Sequence, residues 1–101
     1  MTIQIDRRLE ELGLTLPEAA APVAAYVPTV LVGGLLHVSG QLPFRDGQLM
    51  TGRLGEGVSL DEGKEAARRC ALMLLAQVKA ALGSLDRVER VVKLEIGRAH
   101  V

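Results

Sequence analysis

The sequence predicts an α+β layer sandwich, a small sheet covered on one face by helix, and three stretches carry that expectation. Two short apolar runs flank Gly33-Gly34 and read as a β-hairpin with a tight turn. From residue 60 to residue 82, apolar side chains recur at three- and four-residue steps, the pattern of one long amphipathic helix. A β-branched run at residues 88–94 follows. A hairpin, a crossover helix and a strand, in that order, pack as helix on sheet.

The chain has 101 residues, enough for one small domain with a modest core, and oligomerisation would add to its stability. Hydrophobic residues make up 49% while Lys+Arg and Asp+Glu balance at 12 each, which describes a folded, neutral protein rather than a disordered one. Nucleic-acid binding wants a basic face for phosphates or aromatics for base stacking. A net charge of zero with one Tyr, one Phe and no Trp supplies neither, so no nucleic-acid partner is expected. No charged, apolar, small-residue leader and no apolar run near the ~20 residues of a membrane span occurs, so the expectation is a cytoplasmic protein with no membrane partner.

Taken in order, residues 3–12 place Ile5, Leu9 and Leu12 at helical spacing, with Asp6, Arg7, Arg8, Glu10 and Glu11 elsewhere and Gly13 as the C-cap. This short amphipathic helix is expected to pack on the sheet or on a neighbour. Residues 14–25 carry Pro17, Pro22 and five alanines and suit an extended connection. Tyr26 opens the first strand, Pro28 confines it to an edge or a start, and Val30 to Val32 continue it. In residues 35–38, alternation places Leu36 and Val38 on one face and Leu35 and His37 on the other. His37 has no carboxylate or nucleophile beside it in sequence and reads as a packing residue rather than a base. Two histidines and one cysteine in no ligand spacing predict no metal site.

Residues 44–57 form a polar, glycine-rich loop with a second turn signal at Asp46-Gly47. Glycines leading into a helix can bind phosphate, but here no Gly-Lys-Ser/Thr ending follows and no apolar strand immediately precedes them. Ser59 and Glu62 form a capping box, and Asp61 and Glu62 suit the positive end of the helix dipole. The expected buried stripe is Ala67, Cys70, Ala71, Leu74, Leu75, Val78, Ala81 and Leu82, with Leu74 at its centre, while Lys64, Glu65, Arg68, Arg69 and Lys79 face away. Cys70 reads as a buried small hydrophobe. Gly83 ends the helix, residues 84–87 turn, and Val88, Val91, Val92 and Leu94 form a strand.

The stretch most suited to a site is Ser39-Gly40-Gln41, a hydroxyl, a bare backbone and an amide placed where the second strand leaves the sheet ahead of Pro43. Tyr26-Val27, the Gly33-Gly34 turn and Val38-Ser39-Gly40-Gln41-Leu42-Pro43 together resemble the N-terminal signature of the RidA/YjgF family of enamine/imine deaminases, also labelled L-PSP endoribonucleases. The helix and the run after it come in that family's order, so the resemblance covers residues 21–94.

The resemblance implies a chorismate-mutase-like fold, a homotrimer and hydrolytic deamination of small enamine or imine intermediates of the 2-aminoacrylate type to 2-oxo acids and ammonia, with no cofactor. It implies Tyr26 and Ser39 as substrate-binding residues, with Gly40 and Gln41 completing the pocket wall. The family's carboxylate-holding arginine and water-handling glutamate belong to the second half of its domain, so no catalytic residue is carried over. The expected organisation is a helical arm and connection at residues 1–20, the first half of such a domain at 21–94, and a non-native tail at 95–101, where period and composition break. The activity is then expected of an intact parent protein and not of this chain alone. The rival reading is a non-catalytic trimer that binds a small carboxylate or a partner protein in the same clefts.

Overall fold

The computed structural model of the chain describes residues 4–21, 25 and 27–97. Tyr26, Arg98 and His100 lie outside these residues. The element order is α1 (Ile5–Glu11), β1 (Thr29–Val32), β2 (Leu35–Val38), β3 (Phe44–Arg45), β4 (Gln48–Leu49), β5 (Arg53–Leu54), β6 (Gly57–Val58), α2 (Leu60–Leu82) and a 3₁₀ turn at Leu85–Arg87. The α+β class holds.

The hairpin forms where the sequence places it. β1 and β2 pair antiparallel with Val32 opposite Leu35, closed by Gly33 and Gly34 at φ 57° and 79°, two positive values that a side chain rarely adopts. Leu36 and Val38 are half-buried and Leu35 and His37 exposed, as the alternation requires. The ladder runs one step past the strands, where Ser39 N–H donates to the Pro28 carbonyl at 2.9 Å. Pro28 has no N–H to return, so the pairing stops there.

The glycine-rich stretch holds more pairing than a loop. Asp46-Gly47 closes a second hairpin, β3 with β4, and β5 and β6 make a two-residue parallel contact around Gly55. Each is too short for sequence alternation to reveal, because two residues hold only one alternation step.

α2 begins and ends as its caps dictate. Ser59 Oγ accepts from Glu62 N–H while the Glu62 carboxylate accepts from Ser59 N–H, and Gly83 closes the helix in the left-handed region at φ 81°. Its buried face differs from the expected stripe. Met73, Ala76 and Gln77 are buried, Cys70, Leu74, Leu75, Val78 and Leu82 are half-buried, and Ala67, Ala71 and Ala81 are exposed. In a helix carrying Ala and Leu on several sides, three- and four-residue steps fit two adjacent registers, and contact with the rest of the fold selects one.

Within the chain, α1 docks beside the 3₁₀ turn at the C-terminal end of α2 rather than on the sheet. Its first N–H, on Ile5, donates to Asp86 Oδ1 at 2.9 Å, and Asp6 pairs with Lys79 at 3.2 Å. Leu9, Met73, Ala76 and Leu85 are the buried apolar residues among those described, Leu85 being the most deeply enclosed. Gly13 at φ 70° donates to Glu10 O while Leu14 N–H reaches back to Leu9 O, a Schellman ending that turns the chain away.

The strand expected at residues 88–94 is not formed. Those residues join none of the described pairings, and Val91, Val92 and Leu94 are exposed. β-branched composition expresses fit to a half-buried pleated surface, and without a partner edge it makes no strand. Among the described residues no helix is long and apolar enough to cross a membrane.

Candidate functional site

The Ser39-Gly40-Gln41 corner is built by the hairpin's one-sided ending. Because Pro28 cannot donate to it, the Ser39 carbonyl is left over from the ladder, and the Gln41 side chain takes it, Nε2 donating at 3.0 Å. The same Nε2 lies 3.5 Å from Ser39 Oγ. Ser39 and Gln41 are half-buried and Gly40 is exposed, so the corner shows the Gly40 backbone to solvent over a polar base.

That base is on α2. Gln77, 3% exposed, donates from Nε2 to the Ala20 carbonyl at 2.7 Å and lies 3.3 Å from Gln41 Oε1. The thiol of Cys70, nearly two turns earlier on the helix, points at the Gln41 carbonyl oxygen at 3.5 Å. Desolvation by burial pushes the Cys70 thiol up, so it stays protonated at neutral pH and is no nucleophile. Gln77 was not singled out from the sequence. The available signal was a lone amide following Cys70 and Met73 at helical spacing within an apolar stripe.

Of the sequence candidates, Ser39, Gly40 and Gln41 come together; Tyr26 lies outside the described residues. His37 is exposed, on the hairpin face opposite Leu36 and Val38. Glu65 is held below the usual carboxylate range by the hydrogen bond from Arg69 Nε at 2.7 Å, with charge attraction to Arg69, Arg68 and Arg45 added and desolvation opposing it. It is ionised and engaged at neutral pH. The corner therefore supplies hydrogen-bond donors and acceptors able to hold a ligand's oxygen atoms, and no proton-transfer group. No cluster of three metal-ligating side chains occurs among the described residues. A shallow open hollow of about 420 Å³ beside Gly52, Arg53, Leu54 and Glu56 shares no residue with the corner. It carries one surface ion pair, Arg53 with Glu56 at 3.2 Å, and no further converging polar groups.

Comparison with known proteins gives one consistent answer. Residues 6–100 match the family described as "YjgF/chorismate mutase-like, putative endoribonuclease". Protein TCP17 of Trypanosoma cruzi is 53% identical over 94 residues, which is 92% of this chain and 59% of that protein. A crystal structure of a "putative endoribonuclease" from Shewanella oneidensis MR-1 superposes with a TM-score of 0.80 at 40% identity, over 85% of this chain and 58% of that one. A protein of unknown function from Agrobacterium tumefaciens superposes with a TM-score of 0.74 at 48% identity, over 86% and 54%. The chain thus spans between half and two thirds of the length of these relatives.

Proposed function

Since the chain belongs to the YjgF/chorismate mutase-like family, we propose that it forms one wall of a pocket in which a protein of its relatives' full length hydrolyses small enamine or imine intermediates to 2-oxo acids and ammonia. The observation that carries this reading is the Ser39-Gly40-Gln41 corner, whose hydroxyl and bare backbone are held at the strand exit by the Gln41 amide. Such a corner can bind the oxygen atoms of a small carboxylate.

The division of labour follows from chemistry. Hydrolysis needs a proton-transfer group to handle the attacking water and a cation to hold the carboxylate, and the corner has neither. Those two roles fall to an arginine and a glutamate outside this chain, as the family resemblance implies, with Tyr26 and Ser39 shaping the pocket. A homotrimer with the pocket between subunits fits the exposed apolar side chains of the hairpin, Val30, Leu31, Val32 and Leu35. No cofactor is needed for this hydrolysis. The corner's lack of proton-transfer groups favours one rival, a non-catalytic trimer binding a small carboxylate or a partner protein in the same place.

Ammonia release from 2-aminoacrylate generated in situ, measured against spontaneous decay without protein, separates the two in the full-length protein. Tyr26→Phe and Ser39→Ala are expected to weaken turnover without abolishing it. Complete loss in either variant with the trimer intact would refute the assignment of proton transfer to other groups.

A further inference from the structure

We propose that Gln77 is the positioning residue of the corner, anchoring from α2 a hydrogen-bond relay that leaves the Ser39 hydroxyl aimed outward as a donor. The proposal rests on the reading above for what the hydroxyl would meet, but the relay itself stands on geometry alone.

The relay's direction is fixed at both ends. A backbone carbonyl only accepts, so the 2.7 Å contact with Ala20 O requires Gln77 to present its NH₂ group there. The other N–H of that group then faces Gln41 at 3.3 Å and must meet an acceptor, which is Gln41 Oε1. With its oxygen turned to the helix, Gln41 has only its NH₂ to offer Ser39, and the Ser39 carbonyl, left over beside Pro28, accepts it at 3.0 Å. The same NH₂ approaches Ser39 Oγ as a donor at 3.5 Å. A hydroxyl that accepts from one side keeps its own proton for the other. That proton suits a carboxylate or carbonyl oxygen of the substrate, and a Gln41 amide turned the other way would draw it inward instead.

The Ser39 carbonyl, which can only accept, asks for this orientation from two residues away. Gln77, nearly fully enclosed and 36 residues further along, asks for the same one and holds the far side of the Gln41 amide in place. It also ties the 14–21 connection to the corner through Ala20.

The test uses the whole 101-residue chain, isotope-labelled for NMR, with Gln77→Met as the near-isosteric apolar variant and pyruvate as the probe ligand. Gln77→Met is expected to move the Gln41 side-chain amide signals. It should also raise hydrogen exchange at the Ser39 amide about tenfold, the size of one lost buried hydrogen bond, while amides in the middle of α2 stay protected. Pyruvate affinity should fall by about the same factor in Gln77→Met and in Ser39→Ala, with the double variant no weaker than the single ones, because both sever one relay. Unmoved Gln41 signals, or losses that multiply in the double variant, would overturn the proposal. If Gln77→Met loses protection throughout α2, Gln41→Met cuts the same relay at its outer link, and the same two outcomes decide. If the unmodified chain binds no pyruvate, the Gln41 and Ser39 signals still decide the relay, and the functional reading is decided separately by ammonia release in the full-length protein.

Discussion

Leu85→Ala is the substitution expected to cost this fold most. Leu85 is 1% exposed and closes the space between α1 and the C-terminal end of α2, in a core whose described apolar members are Leu9, Met73, Ala76 and Leu85. Replacing leucine by alanine removes about three carbons, worth ~2.4 kcal/mol at ~0.8 kcal/mol each. The space left behind closes incompletely and raises the loss to about 3 kcal/mol, within the range measured for buried leucines. A small domain with so thin a core sits near the low end of native stability, ~5 kcal/mol, so more than half would be lost. In urea the midpoint should fall by ~2 M at an unchanged slope. Leu74→Ala is the control, since Leu74 is half-buried despite its central place in the sequence pattern, and its cost should stay at about 1 kcal/mol. A Leu74→Ala midpoint below that of Leu85→Ala would show that the core lies against the middle of α2, and the packing argument would fail.

Four more substitutions follow from named contacts. Ser59→Ala removes the acceptor for Glu62 N–H and should cost about 1 kcal/mol, seen as a lower thermal midpoint of helical circular dichroism; no change would mean the capping box is idle. Two glycines should respond oppositely to alanine. Gly52, at φ 135° with Val58 against the position of an added Cβ, should destabilise, whereas Gly63, inside α2 and facing only the mobile end of the exposed Leu54 side chain, should gain helix propensity; equal effects would contradict both placements. The Cys70 thiol, raised from 9.0 by burial, should react with iodoacetamide at pH 8 more slowly than a peptide thiol. Its raised value contributes stability that is fully present below pH ~9 and lost as pH rises through the folded value, so Cys70→Ala should flatten the alkaline decline.

The features legible in the sequence are those whose cause lies within a few residues. Gly33-Gly34 and Asp46-Gly47 close hairpins because their backbones reach positive φ, and Ser59 and Glu62 cap α2 because three residues separate them. The Ser39-Gly40-Gln41 corner was equally legible, since Pro28 and Pro43 stop the neighbouring ladders. Tertiary structure decided what depends on a distant partner. Leu74 and Ala67 gave way to Met73 and Gln77 on the buried face because periodicity fixes a helix's stripe only to within a residue or so. Residues 88–94 carry strand composition yet pair with nothing described, since a strand exists only against an edge. Asp86 caps α1 from 81 residues away, and Gln77 reaches Ala20 across 57. Contacts at such separations have no local signature, because the hydrogen-bonding capacity of an amide or a carboxylate is written in its type while its partner is chosen by the fold.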